Sequence, residues 1–141
     1  MKYVLDSSVA LKWVLNEADS PKALSLRDDF RSNIHELCGP NIFPVEVAHA
    51  LTRAERKGIL NPPQAIRLLA DVLSTPMPLH AYEPLLARAT AISSSMRCGV
   101  YDCLYVALAE REACGFITAD DKLVKRLGPH FGFMIALTSL P

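Results

Sequence analysis

Four carboxylates stand at the edges of apolar runs, where a charge has little structural use. They are Asp6 in Tyr3-Val4-Leu5-Asp6-Ser7-Ser8, Glu46 in Phe43-Pro44-Val45-Glu46-Val47-Ala48, Asp102 in Val100-Tyr101-Asp102-Cys103-Leu104-Tyr105, and Asp120 in Phe116-Ile117-Thr118-Ala119-Asp120-Asp121. Carboxylates are seldom buried unless paired or bound to metal. A fold that gathers these four makes them repel, and a divalent cation relieves the repulsion. Oxygen ligands of this kind suit Mg²⁺ or Mn²⁺ and point to phosphodiester chemistry. Taken singly, each has a plainer use. Asp6, Asp120 or Asp121 can cap a helix, and Glu46 and Asp102 can offset a helix dipole. Only their joint occurrence separates the two readings.

The elements that must position them follow from periodicity. Lys2 to Leu5 reads as a short strand, followed by a helix to about Leu15 capped by Ser7 or Ser8. Ser20-Pro21 opens a second helix through Arg31. Pro40 to Phe43 reads as extended, and a third helix runs from Pro44 to Gly58. Asn61-Pro62-Pro63-Gln64 has capping-box spacing and starts a fourth, to about Ser74. Met77 to Ala81 is a further strand candidate. Helices are expected over 83–96, 101–113 and 120–127, with strands over 115–118 and 132–137. Helices between strands imply an α/β fold with a central parallel sheet flanked by helices. In such sheets sites lie at the carboxyl ends of strands, where Asp6 and Asp120 both fall.

The chain has 141 residues, half of them hydrophobic, and reads as one domain over 1–141 with a substantial core. Lys+Arg and Asp+Glu each number 15, so zero net charge offers no global pull on a polyanion. Any nucleic-acid contact must be local. Lys12, Arg53, Arg56, Lys57, Arg97, Lys122, Lys125 and Arg126 are available for it, although most read as solvated helix faces. Arg53 is the exception, two turns along its helix from Glu46. Cys38, Cys98, Cys103 and Cys114 lack CxxC spacing and read as reduced core thiols of a cytoplasmic protein. No apolar run has transmembrane length, so no membrane association is expected. Trp13 and Tyr105 sit at apolar helical positions, more typical of core than of base stacking. Ser8 has no nearby histidine, which argues against a serine nucleophile.

Four strings together resemble the signature blocks of the PIN domain family, and more narrowly its VapC-type toxins of toxin–antitoxin pairs. They are Val4-Leu5-Asp6-Ser7-Ser8-Val9-Ala10, Pro44-Val45-Glu46-Val47-Ala48, Tyr101-Asp102-Cys103-Leu104-Tyr105-Val106-Ala107-Leu108-Ala109 and Ile117-Thr118-Ala119-Asp120-Asp121-Lys122-Leu123. They occur in family order and span essentially the whole chain. The resemblance implies a PIN-like three-layer fold and a metal-dependent endoribonuclease. By motif position the four acids map to Asp6, Glu46, Asp102 and Asp120, the following hydroxyl to Ser8, and the preceding threonine to Thr118. The family often has asparagine three residues after the glutamate, where this chain has His49, which shares a helix face with Glu46 and Arg53.

On this reading Asp6, Asp102 and Asp120 hold Mg²⁺ or Mn²⁺. Glu46 ligates or orients the attacking water, and the products carry 5′-phosphate and 3′-hydroxyl ends. Ser8, His49, Arg53 and Thr118 support the site or the RNA substrate. The resemblance further implies a homodimer and a cognate VapB-like antitoxin. The first two helices are the expected docking surface, since Ala10, Val14, Ala23, Leu24 and Leu26 offer apolar faces. The rival readings are a PIN-type nuclease of RNA processing without an antitoxin, one acting on DNA, and a non-catalytic RNA-binding PIN domain. A phosphoacceptor receiver domain is disfavoured, because the middle stretch Pro76 to Tyr82 carries no aspartate.

Overall fold

The computed structural model describes all 141 residues. In chain order the elements are β1 (Lys2–Leu5), α1 (Ser7–Leu11), α2 (Ser20–Arg31), β2 (Glu36–Pro40), α3 (Phe43–Arg56), α4 (Gln64–Leu73), β3 (Leu79–His80), α5 (Leu86–Met96, entered through a 3₁₀ turn), α6 (Val100–Glu112), β4 (Gly115–Thr118), α7 (Asp121–Leu127) and β5 (Met134–Ala136). All five strands are parallel, in the order β3-β2-β1-β4-β5. The chain therefore leaves β1 in one direction and later returns to its other side. This reversal between β1 and β4 is where open parallel sheets form their crevice.

Alternation along the strands divides the interior into two apolar clusters. Val4, Cys38 and Phe116 pack with α5, α6 and α7, whereas Leu5, Leu37 and Ile117 pack with α1 to α4. Helix α6 is apolar all round from Cys103 to Ala109, and all seven of these residues are buried. A helix with that pattern must be covered on several sides. Gly115 leaves room for its neighbours, since a Cβ there would lie 2.7 Å from Ile135 Cδ1 and 3.1 Å from Tyr3 Cδ1 and would make those side chains shift. No helix is long and apolar enough to cross a membrane.

Several local expectations need correction. Helix α1 ends at Leu11 rather than Leu15, because Lys12 and Trp13 donate back only three residues, to Val9 and Ala10. Ser7 and Ser8 do not cap it. They lie inside the helix, with their hydroxyls turned to Glu46 and Asp6. Ser20 does not cap α2 either; Asp19 holds that position. The Ser20 hydroxyl instead ties the preceding loop, donating to the Leu15 carbonyl and accepting from the Glu17 amide. Strand β2 spans 36–40, upstream of the expected segment over 40–43. Its Gly39 and Pro40 hid a strand that pairing with β1 stabilises. Finally, Ala10, Ala23 and Leu26 are core residues, and only Leu24 of that set is exposed. The apolar residues of α1 and α2 are thus turned mostly into the core.

Candidate active site

The end of β1 and the end of β4 build the centre of the site. The register pairs Leu5 with Ile117, and the Asp6 amide donates to the Ile117 carbonyl. Asp6 continues the face of Val4, and Thr118 that of Phe116, so both side chains point to the same side of the sheet. Thr118 Oγ1 and Ser8 Oγ each donate to Asp6 Oδ2 at 2.7 Å. Those hydroxyls are fixed in turn. The Ala119 amide donates to Ser8 Oγ at 3.0 Å, and the Asp120 amide to Thr118 Oγ1 at 3.1 Å. Asp6 occupies the position before α1, yet its side chain makes no cap bond there. Its carboxylate, only 6 % exposed, is committed across the sheet instead.

Asp120 precedes α7 and caps it, accepting from the Leu123 amide at 3.1 Å through Oδ1. For this residue the capping role and a role in the site coexist. Asp121 is exposed, solvated as its position implied. Glu46 lies in the first turn of α3 and Asp102 in the first turn of α6. Tyr105, one turn beyond Asp102, is fully buried against Phe116 and donates its hydroxyl to Glu46 Oε1 at 2.7 Å. Ser7 Oγ donates to the same oxygen at 3.5 Å. Asp102 has no hydrogen-bond partner among the protein's side chains.

Electrostatics tie the four together. Burial raises the Asp6 carboxyl above its ordinary range, against the Ser8 and Thr118 hydrogen bonds, and the charge of Asp120 adds to the rise. Burial also raises Glu46, partly offset by Tyr105, with the Asp6 charge adding. Asp102 is pushed up to about 6, first by burial and then by Asp6, Glu46 and Asp120. None of the four carboxylates belongs to an ion pair. No three of them converge as a ready ligand set. Mg²⁺ retains several waters and takes one or two carboxylates directly, so hard oxygen donors of this kind fit a partly hydrated ion.

Cationic residues flank this acidic centre on two sides. One cavity, of about 530 Å³, is lined by Ser8 and Asp120 together with Lys12, His49, Arg53 and Lys57. A second, of about 410 Å³, is lined by Asp102 and Asp120 together with Arg97, Lys122 and Arg126. Of these cations only Lys12 has an acidic partner, Glu17 at 3.7 Å. The structure thus sorts the eight basic residues, since Arg56 and Lys125 line neither cavity.

The sequence reading missed Ser7 and the polar end of Tyr105. A tyrosine inside an otherwise aliphatic helix segment was the available signal, because a buried hydroxyl needs a partner. It also missed that the Cys98 and Cys103 thiols lie 3.2 Å apart across the start of α6.

The family model for the PIN domain matches residues 3–128. Ribonuclease VapC3 of Pyrobaculum aerophilum is 29% identical over 128 residues, covering 89% of this chain and 95% of the relative. A ribonuclease of the same name from Mycobacterium tuberculosis is 30% identical over 122 residues, covering 86% and 85%. Among solved structures, PAE2754 from Pyrobaculum aerophilum superposes with a TM-score of 0.70 at 21% identity, over 99% of this chain and 94% of that one. VapBC2 from Rickettsia felis, bound to a promoter DNA fragment, superposes with a TM-score of 0.65 at 16% identity, over 96% and 97%. At those identities the two structures establish the fold alone.

Proposed function

The chain belongs to the PIN domain family, and from that premise we propose that it is a Mg²⁺- or Mn²⁺-dependent endoribonuclease, the toxin of a toxin–antitoxin pair. The observation that carries the reading is a set of four carboxylates with no cation of the protein's own in an ion pair with them, of which Asp6, Glu46 and Asp102 are raised by burial and by neighbouring charge. The ribonuclease names of the relatives and the toxin–antitoxin complexes among similar folds support it.

Asp6 and Asp102 would hold the metal, with Asp120 bound to it directly or through one of its retained waters. When bound, it supplies Lewis acidity toward the phosphodiester and lowers the pKa of water beside it. The chain's own residues do the rest. Ser8 and Thr118 hold Asp6 in one orientation. Tyr105 and Ser7 hold one oxygen of Glu46, whose raised pKa suits it to orient water and take its proton. Lys12, Arg53 and Lys57 on one side, and Arg97, Lys122 and Arg126 on the other, track the phosphates on either side of the cut. His49 lies between Glu46 and the first of these groups. Homodimerisation and inhibition by an antitoxin are part of the same proposal.

Purified protein incubated with total RNA tests it. Discrete products are expected in Mg²⁺ or Mn²⁺, bearing 5′-phosphates, and none with EDTA or with Asp6→Asn or Asp102→Asn. Products ending in 2′,3′-cyclic phosphate would overturn the mechanism. Cleavage that persists in EDTA would remove the metal from it.

A further inference from the structure

The turn that joins α5 to α6 brings two thiols together beside an acid of the site. Cys98 Sγ and Cys103 Sγ lie 3.2 Å apart, and no other two sulfurs of the cysteines meet. The contact follows from how α6 begins. Gly99 caps the helix in extended conformation, and its carbonyl accepts the Cys103 amide at 3.2 Å. Cys98 is the residue before the cap, and Cys103 the fourth residue of the helix. Side chains at those two positions meet over the first turn, where apolar pairs staple many helix starts. Here the staple is made of two sulfurs. The turn before it is also fixed. Arg97 ends α5 in the left-handed region at φ 57°, and the Ser93 hydroxyl donates to the Cys98 carbonyl.

The two thiols differ in access. Cys103 is fully buried. Cys98 is half-buried and lines the cavity that also holds Asp102, Asp120, Arg97, Lys122 and Arg126. Reactive cysteines are partly exposed and lie among cations, and a second thiol within reach resolves their first oxidation product. We propose that Cys98 and Cys103 form an oxidation site for hydrogen peroxide, and that closing the bridge displaces Asp102, which, on the nuclease reading above, weakens metal binding and slows cleavage. The Cys98 sulfur attacks the peroxide O–O bond. It becomes a sulfenic acid, and the departing oxygen leaves as water with the Cys98 proton. The Cys103 sulfur then attacks Cys98 Sγ, the S–S bond forms, the S–O bond breaks, and a second water carries off the Cys103 proton. The two thiols lose the electron pair that the peroxide gains. A dithiol reverses the bridge by exchange. Closing it draws the sulfurs together by roughly 1 Å, to the length of a disulfide. Asp102 precedes Cys103 in the first turn of α6 and moves with it.

The test treats the whole chain with hydrogen peroxide, removes the excess with catalase and maps its peptides without reductant. A bridge between Cys98 and Cys103 is expected, with loss of both thiol hydrogens. Mn²⁺ affinity, read by calorimetry, and RNA cleavage should each fall about tenfold, and dithiothreitol should restore both. Cys98→Ser should match reduced wild type and keep its rate after peroxide. In Cys103→Ala the Cys98 sulfenic acid should persist and be trapped by dimedone. Oxidation of Cys98 to sulfinic or sulfonic acid without a bridge, or a bridge to another cysteine, overturns the site. Bridged protein that binds Mn²⁺ and cuts as reduced protein does overturns the switch, as does equal loss of activity in Cys98→Ser. Protein that cuts no RNA in either state, yet bridges and loses Mn²⁺ affinity, supports the switch and sinks the nuclease reading. Neither bridging nor cutting sinks both.

Discussion

Two places in this molecule bury charge, and they treat it in opposite ways. Arg27 on α2 is 4 % exposed and fully provided for. Its Nε donates to Thr75 Oγ1 at 2.7 Å, and Nη2 reaches the Asp71 carbonyl, Asp71 Oδ1 and Ser74 Oγ. Its guanidinium lies 4.7 Å from the Trp13 ring centre, and Trp13 Nε1 donates to the Ala23 carbonyl. The carboxylate centre at β1 and β4 gathers like charges, shares hydroxyl donors among them, and has no counter-ion. A buried charge kept for architecture comes with its partner. One left without a partner, in a crevice, is poised for something from outside.

The largest effect expected from this contrast is on activity. Asp6→Asn or Asp102→Asn should cut cleavage by at least about 100-fold, because Lewis-acid charge stabilisation contributes several kcal/mol. Single-turnover rates on RNA measure it. Retained activity in either variant would mean the unpaired centre is not the reactive one.

Residues that only hold the carboxylates should matter less. Tyr105→Phe and Thr118→Val each remove one donor, to Glu46 and to Asp6. Each should lower activity by about 10–100-fold, as loss of a group supporting a ligand does. Loss in metal affinity, read by calorimetry, is expected for Thr118→Val.

Stability should respond in opposite directions at the two places. Arg27→Ala strips the Thr75 hydroxyl of a donor and uncovers Trp13, at a cost of about 1–3 kcal/mol. Asp102→Asn relieves repulsion and should raise the melting temperature of metal-free protein. Denaturation of both variants checks the pair of signs, and a destabilised Asp102→Asn would show that the carboxylates are balanced after all.

The smallest effect is a pH slope. Folded Asp102 sits at about 6, against an ordinary 3.8. Between those values the folded chain keeps a proton that the unfolded chain has lost. Stability of metal-free protein should therefore fall as pH rises through that window. Asp6 and Glu46, also raised, act in the same direction. Asp102→Asn should flatten the slope, while Arg27→Ala should leave it unchanged.

Much of this was legible in advance. The apolar run from Cys103 to Ala109 announces a covered helix whatever packs on it. The strings Tyr3-Val4-Leu5 and Phe116-Ile117 read as strands, and the interspersed helices make their sheet parallel. The carboxylates stand out because each interrupts or borders such a run. Strand β2 was not legible, since Glu36-Leu37-Cys38-Gly39-Pro40 is strand-like only through its pairing with β1. Nor were the roles of Ser7, Ser8 and Ser20, which local rules assign to helix caps.

Local sequence by itself determined most of the elements, β2 excepted, together with their order and the acidic residues at their ends. These depend on periodicity and on neighbours a few positions away. Tertiary structure alone decided which oxygen each hydroxyl serves, that Tyr105 holds Glu46, and which six of eight cations face the acids. It also decided that Ala10, Ala23 and Leu26 are core rather than docking surface. Those outcomes depend on contacts between residues up to 112 positions apart, such as Thr118 with Asp6. Distances of that kind exist only once the sheet has closed its register.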